Sequence, residues 1–229
     1  MKTSPDTLGQ MRAPTRSHHS ADALAPICDI NEQCLQMLVE TARASQSSAE
    51  PFIRQLLTLI QSLDATTLAT AARFPFLLVD FSFRDPEWWN AIATGDDSAS
   101  SDVAWLSPFS RTTTTALARA TIMLAWHTVR IDAETSVVLL GITPEVAHLL
   151  RSLRLQDIDR IAERHFRRIR PRWEDRPGVW RRLLTCAKST EVETARDFVL
   201  HALQLTASAA LPNVRNIGLD DRRPRSKVE

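Results

Sequence analysis

The chain has 229 residues, of which 44% are hydrophobic and 24% are charged. This composition is typical of a soluble globular protein and excludes a wholly disordered, collagen-like or coiled-coil chain. A chain of this length forms one large domain or two small ones and buries a core without disulfide bonds. The net charge of +1 hides an asymmetry, because residues 1–110 carry 7 basic and 13 acidic side chains, whereas residues 111–229 carry 21 and 14.

The first half of the chain reads as a tail followed by helices. Residues 1–22 are rich in Ser, Pro, Thr and His and lack hydrophobic periodicity, so we expect a flexible tail. Pro26 suits the first turn of a helix, and Asp64 can cap another. The apolar run 76–83 is typical of a short strand or an irregular core segment. Periodicity predicts helices over 26–44, 51–63 and 65–73, and one that begins at Pro86.

A polar linker separates this half from a second set of helices. Residues 94–111 are dense in Gly, Asp, Ser and Pro, as linkers are. Asp132 and Thr143 can cap helices, and Gly141 suits the left-handed position that ends one. The polar, Arg-rich residues 207–229 are expected to form a second flexible tail. Periodicity predicts helices over 112–129, 133–140, 144–153 and 156–165, one from Pro177, and one over 191–206.

These elements predict an all-α fold with two helical units, residues 23–93 and 112–206, and the two units share a hydrophobic pattern. Residues 62–85 align without a gap on 152–175, with five identities in 24 positions. Chance helical patterning accounts for some of this, but the register favours an internal duplication. A helical unit that cannot cover its own apolar face docks on its copy, so we expect a pseudo-two-fold dimer within one chain. The matched pairs include Leu63 with Leu153, Phe76 with Phe166, Asp85 with Asp175 and, after one inserted residue, Pro86 with Pro177 and Trp89 with Trp180.

The second unit also carries a recognisable series of motifs. Residues 122–173 resemble the FlhD family, the D subunit of the bacterial flagellar master regulator. The closing motif of that family is aromatic–basic–aromatic, and here Pro171 replaces the first aromatic residue. The first unit keeps both aromatics, as Phe81 and Phe83, and residues 29–35 look like the family's opening helix. The resemblance is carried by Met123-Leu124-Ala125, Leu140-Gly141-Ile142-Thr143-Pro144-Glu145, Leu150, Leu153, Leu155, Ile161-Ala162-Glu163 and Pro171-Arg172-Trp173.

This resemblance implies a function as well as a fold. The family is all-α and dimeric, and it acts as the activating partner of a zinc-bearing, FlhC-like subunit in a complex that binds promoter DNA. We therefore expect a transcriptional regulator subunit that resembles two FlhD units fused in one chain. The alternative is an adaptor or anti-activator that uses the same fold without binding DNA. A homo-oligomer of the whole chain is a further possible assembly.

Basic residues provide the candidate contacts with DNA. Eleven Arg stand against five acidic residues between positions 151 and 182. Such a cluster suits the phosphates of a duplex, which position a complex without specifying sequence. Ion pairs with acidic neighbours on the same helices are the alternative. The candidate phosphate contacts are Arg164, Arg167, Arg168, Arg170, Arg172, Arg181 and Arg182.

Apolar residues in the linker provide a candidate partner contact. Trp105 and Leu106 stand in an otherwise polar stretch, where a Trp can anchor a protein partner or fold back on the core. Four other Trp, at positions 88, 89, 173 and 180, could stack on bases, but their largely matched places in the two units favour packing. The helices 133–140 and 144–153 have helix-turn-helix spacing, yet Glu145, His148, Arg151 and Ser152 are a poor set for reading bases.

Nothing in the sequence indicates catalysis, a cofactor or a metal. The chain contains no GxGxxG, GxxxxGK[ST], GxSxG or HExxH motif. Three Cys without CxxC spacing, at positions 28, 34 and 186, are expected to be reduced and buried. The N-terminus lacks the apolar core of a secretory signal, and no apolar run is long enough to cross a membrane. We expect a cytoplasmic protein.

Overall fold

The computed structural model describes residues 18–44, 51–95, 111–189 and 191–210. The prediction of a mostly helical fold is confirmed for these ranges. The α-helices are α1 (His18–Ala44), α2 (Pro51–Gln61), α3 (Ala65–Ala72), α4 (Pro86–Thr94), α5 (Arg111–Ile131), α6 (Ala133–Thr135), α7 (Pro144–Ser152), α8 (Leu155–His165), α9 (Pro177–Lys188) and α10 (Val192–Ala210). A π-helical turn, Ser136–Leu140, follows α6, and a 3₁₀ turn, Phe166–Arg168, follows α8.

Helix ends follow the local signals where a side chain caps the backbone. The Asp64 carboxylate accepts from the backbone N–H of Thr67 at 2.7 Å. Asp132 and Thr143 cap α6 and α7 as predicted. Gly141 adopts the left-handed conformation, with φ 66°, at the end of the π-helical turn.

Two predicted boundaries are wrong. The first helix begins at His18, so Pro26 lies inside α1 and not in its first turn, and residues 18–22 are helical. The last helix extends beyond Thr206 to Ala210, because the final residues include strong helix formers. Residues 1–17 and 211–229 lie outside the described ranges.

The helices pack in two sets, and helices of each set also pack against helices of the other. In the first set α1 lies against α2 and α3, and in the second α5 lies against α7 and α8. The sets meet through α1 against α5, α2 against α9, and α4 against α7. The last helix, α10, covers the π-helical turn and α9. One continuous hydrophobic core runs through both sets.

A short antiparallel bridge joins the sets at the centre. Strand β1 (Val79–Asp80) pairs with β2 (Arg170–Pro171), with Val79 opposite Pro171 and Asp80 opposite Arg170. Each strand leads into a turn with a positive φ, 52° at Ser82 and 55° at Trp173. Each turn leads into a helix that begins with proline, α4 or α9. The apolar run 76–83 therefore contains both a short strand and irregular core segments.

Buried Asn31 fixes the irregular segment before β1. Its side-chain amide donates to the carbonyl oxygens of Ala72 at 3.2 Å and Phe76 at 2.9 Å. Its oxygen accepts from the backbone N–H of Leu78 at 2.7 Å. These bonds satisfy backbone groups that neither a helix nor the bridge could pair, so an extended segment can cross the core.

Candidate nucleic-acid interface

The predicted arginines follow one another through the end of α8, the 3₁₀ turn, β2 and α9. The chain changes direction at each of these junctions, so neighbouring arginines point into different environments. Four of them, Arg164, Arg167, Arg181 and Arg182, are exposed. Arg168 and Arg170 are half-buried, and Arg172 is buried.

Arg172 is a core residue, and its assignment to a phosphate-binding surface is wrong. The side chain is 4% exposed. Its guanidinium donates to the carbonyl oxygen of Val79 at 3.3 Å and to that of Leu140, at the end of the π-helical turn. Burial lowers the pKa of Arg172 to about 10, so the group stays charged at neutral pH. It is buried because the bridge draws β2 into the centre of the molecule.

Arg168 and Arg170 are held within the protein by acidic and aromatic neighbours. The Arg168 guanidinium lies 3.4 Å from the Asp85 carboxylate, and its central carbon is 4.5 Å from the centre of the Trp88 ring. Arg168 therefore ties the second helical set to the start of α4 in the first. Arg170 pairs with Glu174 at 2.7 Å. Both retain partial exposure, but much of their charge is balanced locally.

Arg164 and Arg167 lie near the junction of α8 with α4 and α5. Arg164 lines a cavity of about 70 Å³ together with His165 and with Ile92 of α4. Arg167 lies over the Phe166 ring, 5.6 Å from its centre, and Arg111 lies over the same ring at 5.2 Å. The sequence did not single out Arg111, because only the fold brings the start of α5 to this ring.

Arg181 and Arg182 belong to a different part of the surface. Both are exposed on α9, where Arg181 donates to the carbonyl oxygen of Gln55 in α2 at 3.2 Å. Nearby, Lys188 donates to the Ser62 hydroxyl at 2.9 Å. Arg164 thus lies beside a cavity that α4 also lines, whereas Arg181 contacts α2.

The four Trp residues at largely matched positions pack inside the protein, as those positions indicated. Trp88, Trp89, Trp173 and Trp180 are all buried. The indole of Trp89 donates to the carbonyl oxygen of Ser82 at 3.0 Å, and that of Trp180 to the carbonyl oxygen of Arg172 at 2.5 Å. They are not available for stacking on bases. The candidate partner anchor, Trp105 with Leu106, lies outside the described residues.

A groove borders the helix-turn-helix-like pair. It has a volume of about 470 Å³ and runs between the π-helical turn, α7 and α10. His148 and Arg151 line one side and Val137 and Val138 the other. The π-helical turn replaces most of the predicted helix 133–140, so this pair departs from two regular helices.

Two of the three cysteines are buried as expected. All three are free thiols, with Cys34 and Cys186 buried and Cys28 partly exposed. Burial raises the pKa of Cys34 to about 12. In the described ranges, no three His, Cys, Asp or Glu side chains group to hold a metal ion. No helix in these ranges is long and apolar enough to cross a membrane.

A comparison with protein families finds one match, which covers the second helical set. The model of the FlhD family, described as flagellar transcriptional activator, matches residues 112–209. This range holds α5 to α10 almost completely, and it includes every predicted phosphate contact. The matching family is one of transcriptional activator subunits, not of enzymes. No curated protein and no solved structure matches the chain.

Proposed function

We propose that this chain is a subunit of a transcriptional regulator and acts with a zinc-bearing, FlhC-like subunit to bind promoter DNA and activate transcription. The match of residues 112–209 to the FlhD family carries this proposal. The regulated genes belong to a flagellar or related regulon. The FlhC-like subunit reads the bases, and this chain adds contacts to the phosphates.

The exposed arginines are the proposed phosphate contacts. Their set excludes Arg172, which is buried, and gives Arg168 and Arg170 a minor part because acidic side chains balance them. Duplex DNA attracts such side chains irrespective of sequence, and salt weakens this attraction. The proposed contacts are Arg164, Arg167, Arg181 and Arg182.

We also propose that residues 23–93 and 112–206 are two FlhD-like units that form a pseudo-two-fold dimer within one chain. The bridge supports this arrangement, since Asp80 and Arg170, which face each other, are also partners in the sequence alignment. The contacts between the two helical sets support it too. The contact of α2 with α9 and that of α7 with α4 are equivalent under the same alignment.

Equivalent hydrogen bonds give independent support for two units. Gln61 donates to the carbonyl oxygen of Ala42 at 3.0 Å. At the matching place Arg151 donates to the carbonyl oxygen of Val129 at 2.6 Å.

The experiment measures binding of a labelled promoter fragment by the complex of this chain with its FlhC-like subunit. Replacing Arg164, Arg167, Arg181 and Arg182 by Ala should weaken binding at low salt. The slope of log K against log salt should fall by about 0.9 for each phosphate that an arginine no longer neutralises, or up to about 4 for all four. The matched control replaces four exposed arginines elsewhere, Arg43, Arg54, Arg73 and Arg196. An equal weakening in both variants would contradict the proposed contact surface.

A protein-only adaptor or anti-activator is the second candidate. The internal use of Arg168, Arg170 and Arg172 favours it, because these arginines stabilise the fold instead of presenting charge to DNA. An adaptor would bind its protein partner, and neither it nor the complex would bind the promoter at low salt.

A further inference from the structure

The end of α5 and the start of α8 each present an exposed aliphatic side chain. Ile131, the last residue of α5, is 72% exposed, and Leu155, the first of α8, is 55% exposed. The Trp126 indole of α5 donates to the carbonyl oxygen of Leu153 at 3.0 Å, which holds the two elements together. We call this the α5–α8 surface. Its members are Trp126, Arg130, Ile131, Arg151, Arg154 and Leu155.

The same surface is basic. The Arg130 guanidinium lies 4.7 Å from the centre of the Trp126 ring and donates to the carbonyl oxygen of Arg151 at 3.3 Å. Arg151 donates to a backbone carbonyl as well, and Arg154 is exposed at the start of α8. These bonds to carbonyl oxygens orient the guanidinium groups without neutralising their charge.

The nearest acidic residues along the chain already have other roles. Asp132 accepts from the backbone N–H groups of Glu134 and Thr135 as the cap of α6. Asp157 pairs with Arg160 at 2.9 Å. Asp132 stays ionised as a cap, and Glu134 lines the groove beside Arg151. The three arginines outnumber these two carboxylates, so the α5–α8 surface combines apolar side chains with a net positive charge.

The first unit does not carry this surface at the matching positions. Ala44 and Ala65, both exposed, take the places of Ile131 and Leu155. Gln61 replaces Arg151, and Asp64 replaces Arg154. Arg43 matches Arg130, so the first unit keeps one of the three arginines, but Asp64 opposes its charge. The backbone arrangement is shared, whereas the exposed aliphatic side chains and the net positive charge belong to the second unit.

We propose that the α5–α8 surface docks an acidic and apolar segment of the partner subunit, so that the chain engages this partner through its second unit alone. The identity of the partner rests on the proposed function. Trp and Arg beside exposed aliphatic side chains form the composition of an interface hot spot. The three arginines favour an acidic segment by charge complementarity.

The test exchanges residues of the second unit for those of the first. In the complex with the zinc-bearing FlhC-like subunit, Ile131→Ala with Leu155→Ala should weaken association by about tenfold or more, measured by titration calorimetry. The control is Val192→Ala with Leu200→Ala, which removes two other exposed apolar side chains, 76% and 52% exposed, from α10. Unchanged association of the first variant, or an equal weakening in the control, overturns the proposal.

Arg154→Asp separates docking from folding. Residue 154 occupies the cap position of α8, where Asp is preferred and where the first unit carries Asp64. The melting temperature should therefore stay the same or rise, while association with the partner weakens and depends less on salt. Unchanged association in this variant overturns the role of charge.

If the FlhC-like subunit does not bind the wild-type chain, that result contradicts the proposed function. The α5–α8 surface is then tested by itself with a peptide. A helical peptide of Leu and Glu should then shift the Trp126 indole resonance in an NMR titration, and a matched peptide of Leu and Lys should not. Absence of a shift with the Leu and Glu peptide overturns the proposal. A shift caused instead by duplex DNA would make this face a DNA contact and overturn protein docking.

Discussion

The arginines of this protein lie in contrasting environments. Arg182 is exposed on α9, whereas Arg172 lies in the core with its guanidinium on backbone carbonyl oxygens. The sequence predicts a basic region but cannot separate these two, because the pairing of β1 with β2 decides which arginine is buried. That pairing joins residues about ninety positions apart, and local periodicity does not report it.

Replacing Arg172 by Met should lower the free energy of unfolding by about 2–4 kcal/mol, because carbonyl oxygens buried in the core lose their charged donor. Urea denaturation measures the change. Arg182→Met, on the surface, is the control and should change stability by less than about 0.5 kcal/mol. A similar small effect for Arg172→Met would contradict the contacts assigned to its guanidinium.

At the scale of elements, local capping signals predict helix ends well. Asp64, Asp132 and Thr143 each accept from a backbone N–H in the first turn of the helix that they precede, as their sequence positions indicated. The start of α1 and the π-helical turn were not predicted. Helix α1 continues through Pro26, although proline removes one hydrogen bond, and the π-helical turn has no distinctive residue pattern.

Gly141 ends the π-helical turn in a way that other residues would disturb. Its φ of 66° is left-handed, and a Cβ there would lie 2.7 Å from Nη1 of Arg172. Gly141→Ala should therefore destabilise the protein by about 1–2 kcal/mol from backbone conformation, with a further cost from the displaced guanidinium.

Gly178 in α9 provides the control, since a Cβ added to it meets no atom within 4 Å. Gly178→Ala should leave stability unchanged or raise it by up to about 1 kcal/mol, because Ala favours a helix. Thermal melting of both variants gives the comparison. An equally stable Gly141→Ala protein would show that this turn adapts freely.

The whole molecule is held together by contacts between its two helical sets. Because α2 packs on α9, α4 on α7 and β1 on β2, the halves should stay associated when the chain between them is cut. A protease site inserted within residues 96–110 tests this by mass measurement in solution, with the uncut insertion variant as control. Cleaved halves that separate without denaturant would contradict the interlocked arrangement.

The family comparison supports the resemblance on which the proposed function rests, whereas the contact residues remain a prediction. The motifs of residues 122–173 indicate the FlhD family, and the family comparison extends this to residues 112–209. The α5–α8 surface was not predicted, because it depends on bringing the end of α5 next to the start of α8. The first unit resembles the second in pattern, but the family model does not match it.

The most direct test of the central claim is the affinity of a labelled promoter fragment for this chain, alone and with its FlhC-like subunit, at low and high salt. We expect weak and strongly salt-dependent binding by the chain alone and much tighter binding by the complex. A complex that forms but does not bind the promoter even at low salt would contradict a role in transcription activation and support the adaptor.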